Sequence, residues 1–140
     1  QDSTLLLASL GGSTLFLFGL TTLPPTQPRA LFGGHILSAL IGVICYRLFG
    51  DATWVMVVSV LITIAVLLLT KTVHPPAGAN PLIMIHGHAG FMDIWTHVII
   101  GVVALAATTY VWSRLGPGKA KYPIKWNQES PPGPNWGPWH

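Results

Sequence analysis

The side chains with chemistry to offer are few, and most of them are basic. The 140-residue chain has 4 acidic residues against 7 Lys and Arg and 6 His. The stretch His74-Pro75-Pro76-Ala77-Gly78-Ala79-Asn80-Pro81 follows a long apolar run. Its prolines remove backbone donors and stop an ordinary helix from running through. Asn80 before Pro81 predicts an N-cap with proline at the first helical position. A helix start beside His74 would offer free N–H groups and a partial positive charge to an anion. The plainer alternative is a turn between two spans. Arg29, His35 and Lys71 add further positive or titratable groups. Together with His74 and the N–H groups after Asn80 they outline an electropositive path of the kind that broken helices build in transporters. Histidine, with an ordinary pKa of about 6.5, could couple anion movement to a proton. The alternatives are interhelical hydrogen bonds for His35 and His97, and snorkelling to headgroups for Arg29 and Lys71.

The elements that would carry these groups are membrane helices. Charged residues make up 8% of the chain, against about 25% in ordinary domains. Four apolar blocks, Leu5–Leu20, Leu31–Leu48, Ala52–Thr70 and Ile94–Trp112, approach the roughly 20 residues that cross a bilayer. None contains Asp, Glu or Lys, which disfavours a cation carrier, and ionisable groups at that depth mark functional sites. Trp54, Trp95, Trp112, Tyr46 and Tyr110 lie near block ends, as interfacial anchors do. The expected fold is all-α: a polytopic bundle of about four transmembrane helices, with a broken or re-entrant segment at His74–Pro81 and an extended C-terminal tail. A short interfacial helix after Pro81 is equally compatible.

Helices in lipid approach closely through small residues and interhelical hydrogen bonds. Ala30, Gly34, Ser38 and Gly42 form such a stripe in the second block. Ser59, Thr63 and Thr70 provide one in the third, and His97, Gly101, Ala104 and Thr108 one in the fourth. Gly11-Gly12-Ser13 permits close approach or a kink in the first.

Four spans would put both termini and the second loop on one face, with Arg47, Arg114, Lys119, Lys121 and Lys125, and leave Arg29 and Lys71 opposite. Positive-inside then places both termini in the cytoplasm, stroma or matrix, in a bacterial inner membrane or a plastid or mitochondrial inner membrane. This asymmetry accounts for the net charge of +3 without nucleic acid. With no basic n-region and no clear cleavage site, a secretory signal peptide is not expected at Gln1.

Three ordered blocks resemble the HPP family of integral membrane proteins. They are Gly11-Gly12-Ser13-Thr14-Leu15, Gln27-Pro28-Arg29-Ala30-Leu31-Phe32-Gly33-Gly34-His35, and Lys71-Thr72-Val73-His74-Pro75-Pro76-Ala77-Gly78-Ala79-Asn80-Pro81. The last is specific; the others are weak alone. The resemblance implies a transporter-like helical membrane protein. Some plastid and cyanobacterial members are associated with nitrite transport, so it also implies a small inorganic anion as substrate. Members often continue Ala-Gly-Ala with threonine where this chain has Asn80-Pro81, and many have a further apolar segment upstream.

The remaining motifs point elsewhere. His86-Gly87-His88 invites a metal, with His74 or His97 completing the set, but only Asp93 and Cys45 offer a carboxylate or thiol. No metal and no cofactor is expected. No nucleophile–base pair, phosphate loop or carboxylate dyad suggests an enzyme. Residues 116–140 are rich in Pro, Gly and Trp and read as a tail separate from the bundle of residues 1–115, unable to order itself alone. Trp126, Trp136 and Trp139 are the anchors expected to dock it on other membrane subunits or on copies of this chain. The alternative function is therefore a non-catalytic accessory subunit of a larger membrane complex of respiratory or photosynthetic type.

Overall fold

A computed structural model describes residues 4–133, with side chains from residue 8 onward. The described residues contain helices and no strand. Helix α1 is Thr4–Gly19, α2 is Pro28–Phe49, α3 is Thr53–Thr70 and α4 is Asn80–His86. Helix α5 is Phe91–Trp112, with a π-helical stretch at Ile94–Ile99. Short 3-10 turns form at Pro24–Thr26 and Pro75–Ala79. Among the described residues, α2, α3 and α5 are long and apolar enough to cross a membrane, and α1 contributes a shorter apolar helix. The sequence explains the breaks. Pro28 opens α2 at its first position, where the missing N–H costs nothing. Gly50 closes it at φ 80°, a backbone conformation natural to glycine.

Helices α1 and α5 run parallel. Leu10 packs on Gly101 near their midpoints, and the Phe18 and Trp112 rings lie 6.3 Å apart near their ends. Between them α2 descends, α3 returns, and the His-Pro-Pro segment with α4 descends again. His88, just beyond α4, reaches the α2–α3 loop, where its Nε2 stands 2.8 Å from Asp51 Oδ2 and its ring stacks on Tyr46. The chain thus traverses the bundle five times, the fourth time through a broken element. The bundle of about four long apolar helices with a broken segment at His74–Pro81 is as expected, and because that segment also crosses, α1 begins and α5 ends at opposite ends of the bundle. The half-length α4 is too short to register as a span in the hydropathy pattern, but it completes a passage.

Close packing centres on α2. A β-carbon on Gly42 would meet Pro81 Cα at 2.8 Å and Met84 Cβ at 2.9 Å, so α4 lies directly on the α2 backbone. Ser59 and Thr63 are buried on α3. On α5 the buried seam is Ile94, Val98, Val102 and Thr109, whereas Ala104 and Thr108 face outward. Larger apolar side chains seal this seam, so the small-residue stripe expected there extends only as far as Gly101. Leu15, Leu69 and Ile100 stay exposed on the perimeter, as a lipid-facing surface requires.

The tail folds back on its own bundle. Tyr122 is 1% exposed, and its hydroxyl donates to the Thr26 carbonyl at 2.9 Å. Gln27 Oε1 accepts from the Ile124 N–H at 2.8 Å. Ser130 bridges Thr72, with Val73 N–H donating to the Ser130 carbonyl at 2.8 Å and Ser130 N–H to the Lys71 carbonyl at 2.9 Å. Unpaired backbone groups of the two proline-rich breaks thus order a segment with no helical period of its own. Trp126 stays 68% exposed; Trp136 and Trp139 lie outside the described residues.

Candidate functional site

A polar cluster occupies the centre of the bundle, where α1, α2, the His-Pro-Pro segment and α4 meet. Ser13 on α1 is its hub. Its Oγ stands 2.7 Å from His35 Nε2 and 2.7 Å from His74 Nε2. The two imidazoles lie 5.1 Å apart between centroids, with 1% and 0% of their surface exposed. Nδ1 of His74 faces the Pro25 carbonyl oxygen at 2.6 Å, and Phe16 packs edge-on against its ring. Nδ1 of His35 faces Asn80 Nδ2 at 2.9 Å, and the same amide donates to Ser38 Oγ at 3.1 Å. Ser9 Oγ ties α1 to the Pro76 carbonyl at 3.0 Å. The close backbone contact at Gly34 lets the His74 strand approach α2.

Of the five residues expected on an anion path, the structure brings His35, His74 and Asn80 together. Arg29 and Lys71 stand apart, at the tail end of the bundle. The Arg29 guanidinium donates to the Thr70 carbonyl at 2.8 Å and to Asn127 Oδ1 at 2.9 Å, and Lys71 Nζ pairs with Glu129 at 3.0 Å. Asn80 is not the N-cap the sequence suggested. It is already helical at φ −59°, ψ −42°, and its N–H is bonded to the Ala77 carbonyl. The 3-10 turn runs straight into α4, so its amide is free to reach His35 instead of capping. Nor, therefore, does a helix N-terminus present its N–H groups to an anion here.

Ser13 is the residue that sequence reasoning missed as a ligand, since glycine neighbours gave it a packing explanation. Ser9 and Ser13, one turn apart in an otherwise apolar helix, are the signal that could have exposed it. The Pro25 carbonyl has no side-chain signature. Ser38, expected only to ease packing, also accepts from Asn80.

Two spaces adjoin the cluster. A cleft of about 270 Å³ beside His74 is bounded by Thr63, Ile64, Leu67 and Pro75. A cavity of about 10 Å³ lies between Ser9, His35, Asn80 and His97. Among the described residues no carboxylate belongs to the cluster, since Asp51 and Asp93 stand at one end of the bundle and Glu129 at the other. His86, His88 and His97 do not gather: His88 pairs with Asp51, and His97 Nδ1 lies 3.6 Å from Asp93. No group of three His, Cys, Asp or Glu among the described residues is placed to hold a metal.

Comparison with known proteins agrees with this architecture. Residues 1–123 match the description of the HPP transmembrane region. A transmembrane protein of Dictyostelium discoideum is 29% identical, over 86% of this chain and 45% of its own length. A second from the same organism is 30% identical, over 90% of this chain and 43% of its own. The chain thus spans less than half the length of these curated relatives, and no solved structure matches it. With the His-Pro-Pro segment at the heart of the bundle and the match covering nearly all of it, the chain belongs to the HPP family of transmembrane proteins.

Proposed function

We propose that this HPP bundle is a non-enzymatic carrier of a small inorganic anion such as nitrite, with Ser13, His35, His74 and Asn80 as its central site. The observation that carries this reading is the convergence of two imidazoles, an amide and a hydroxyl in a core without a carboxylate. Such a site can offer hydrogen-bond donors and, on protonation, positive charge, while holding no carboxylate or thiolate to balance the charge of a bound metal cation. The cleft beside His74 has room for a triatomic anion, with Thr63 as its other polar wall. Arg29 and Lys71 form an outer basic station at the tail end.

The test is nitrite uptake into phosphatidylcholine vesicles containing the purified protein. His74→Ala and Asn80→Ala should each cut uptake at least tenfold while the proteins elute as the unmodified one does. Unaltered uptake by both folded variants would sink the assignment.

The rival role, an accessory subunit, draws on the exposed Trp126 of an ordered tail. It predicts stoichiometric unrelated subunits in the native complex after gentle extraction, and loss of assembly in Trp126→Ala.

A further inference from the structure

The hydrogen bonds of the central cluster have a single self-consistent direction. The Pro25 carbonyl can only accept, so Nδ1 of His74 carries hydrogen. In a neutral imidazole Nε2 is then bare, and it must accept from the Ser13 hydroxyl. The Ser9 carbonyl oxygen also lies 3.2 Å from Ser13 Oγ, but with His74 neutral the one hydroxyl hydrogen is needed at the shorter 2.7 Å contact to its bare Nε2. Ser13 Oγ therefore accepts from His35, whose Nε2 carries hydrogen. Nδ1 of His35 is bare in turn and accepts from the Asn80 amide, whose second hydrogen goes to Ser38. The two histidines thus hold opposite tautomers, enforced by one carbonyl at one end and one amide at the other.

We propose that Ser13, His35 and His74 form a proton-binding site in which one proton is shared by both histidines, and that His97 supplies it through a single water. A proton reaching His35 Nδ1, with the Asn80 amide turned to present Oδ1, makes an imidazolium. His35 then releases its Nε2 hydrogen to Ser13 Oγ as Ser13 passes its own to His74 Nε2. One N–H and one O–H bond break, one of each forms, and the positive charge has moved from His35 to His74. Each new donor faces an acceptor: His74 Nε2–H faces Ser13, Ser13 O–H faces His35 Nε2, and His35 Nδ1–H faces Asn80 Oδ1. Two imidazolium rings 5.1 Å apart with no carboxylate between them would repel strongly, so the pair holds one proton at a time.

The surroundings agree. Helix α1 contributes Ser9 and Phe16, α3 contributes Thr63, α4 contributes Asn80, and the 3-10 turn contributes the Pro25 carbonyl. Besides the pair itself, the titratable groups that approach are His97, across the 10 Å³ cavity, and Asp93, one turn before it on α5. That cavity is the size of one water. His97 is partly exposed, so it links the core to the end of the bundle opposite the tail.

Applied to the carrier reading, the site names a proton as the coupling ion, but its test does not need transport. Protein labelled with 15N-histidine in nanodiscs, assigned with His35→Gln and His74→Gln, should show His74 protonated at Nδ1 and His35 at Nε2 at neutral pH. On acidification both should shift together with uptake of one proton per pair, and Ser13→Ala should separate the two curves. His97→Gln should slow equilibration after a pH jump about tenfold. Identical tautomers in the unmodified protein, or coincident curves without Ser13, overturn the shared proton; an unchanged rate without His97 overturns the route. Opposite tautomers without nitrite uptake would instead fail the anion reading alone.

Discussion

Gly34 and His74 meet where no side chain fits: a β-carbon on Gly34 would stand 2.9 Å from His74 Cβ and 2.9 Å from the Thr72 carbonyl oxygen. The buried histidine is thereby pressed onto the α2 backbone one residue before His35, which sets the ring spacing that Ser13 bridges. Gly34→Ala must push the His-Pro-Pro segment outward, because a carbonyl oxygen and a β-carbon, both fixed to the backbone, cannot rotate away. The expected cost is about 1–3 kcal/mol, as for overpacking elsewhere. A lowered thermal midpoint in detergent, with altered His74 resonances, checks it. An unchanged midpoint would mean that the strand is not seated on Gly34.

Asn80 fixes the other end of the cluster. Asn80→Ala strips the donor from His35 Nδ1 and from Ser38 Oγ in a buried site. Leaving such groups unsatisfied costs about 1–3 kcal/mol. Asn80→Asp is the sharper probe, since an ionised carboxylate only accepts. It should drive hydrogen onto His35 Nδ1 and repel an anion, so nitrite uptake should fall further than in Asn80→Ala. Equal uptake by the two variants would argue against an anion passing this point.

Much of the helical architecture was legible in the apolar blocks, because lipid-exposed helices need continuous apolar sequence. The fourth passage was not, since Asn80–His86 is short and its polar start reads as a cap. Its crossing sets Arg29 and Lys71 beside the tail, at Asn127 and Glu129, where four helical crossings alone would place them opposite it. His35, His74 and Asn80 stand out as polar residues in apolar or proline-rich sequence, so their importance could be read locally. Their joining through Ser13 and Pro25 could not, because it depends on contacts 22 to 61 residues apart. The docking of the tail was equally hidden. Its partners are backbone groups in two breaks, and backbone groups leave no mark in composition.

The tail should come loose in a graded way. Tyr122→Phe removes the buried bond to Thr26 and should cost about 1 kcal/mol, with faster protease cleavage near Trp126. Burial pushes the Tyr122 phenol above its ordinary value. For a group raised on folding, the stabilisation is complete below the unfolded pKa of about 10 and is lost as pH rises through the folded value. Cleavage of the unmodified protein should therefore stay slow up to about pH 10 and accelerate only above it, whereas Tyr122→Phe should lack that alkaline step. An identical step in both would assign the release to another group.

Orientation provides the last test. With five passages, Arg29, Lys71, Arg114, Lys119, Lys121 and Lys125 share the tail end, and Arg47 alone stands at the other, accounting for all 7 Lys and Arg. A six-to-one split is a stronger positive-inside signal than the five-to-two split expected from four spans, and it reverses the side of the α2–α3 loop. The expected outcome is a tail on the cytoplasmic, stromal or matrix side, with α1 beginning on the opposite one. Cys45, the single cysteine, is buried, so singly introduced thiols report cleanly. Asp51→Cys in the α2–α3 loop and Lys121→Cys in the tail, both at exposed positions, should react with a membrane-impermeant maleimide from opposite sides of sealed membranes, Lys121→Cys from the side that carries the positive charge. Labelling of both from one side would restore an even number of passages and dismantle the broken fourth span.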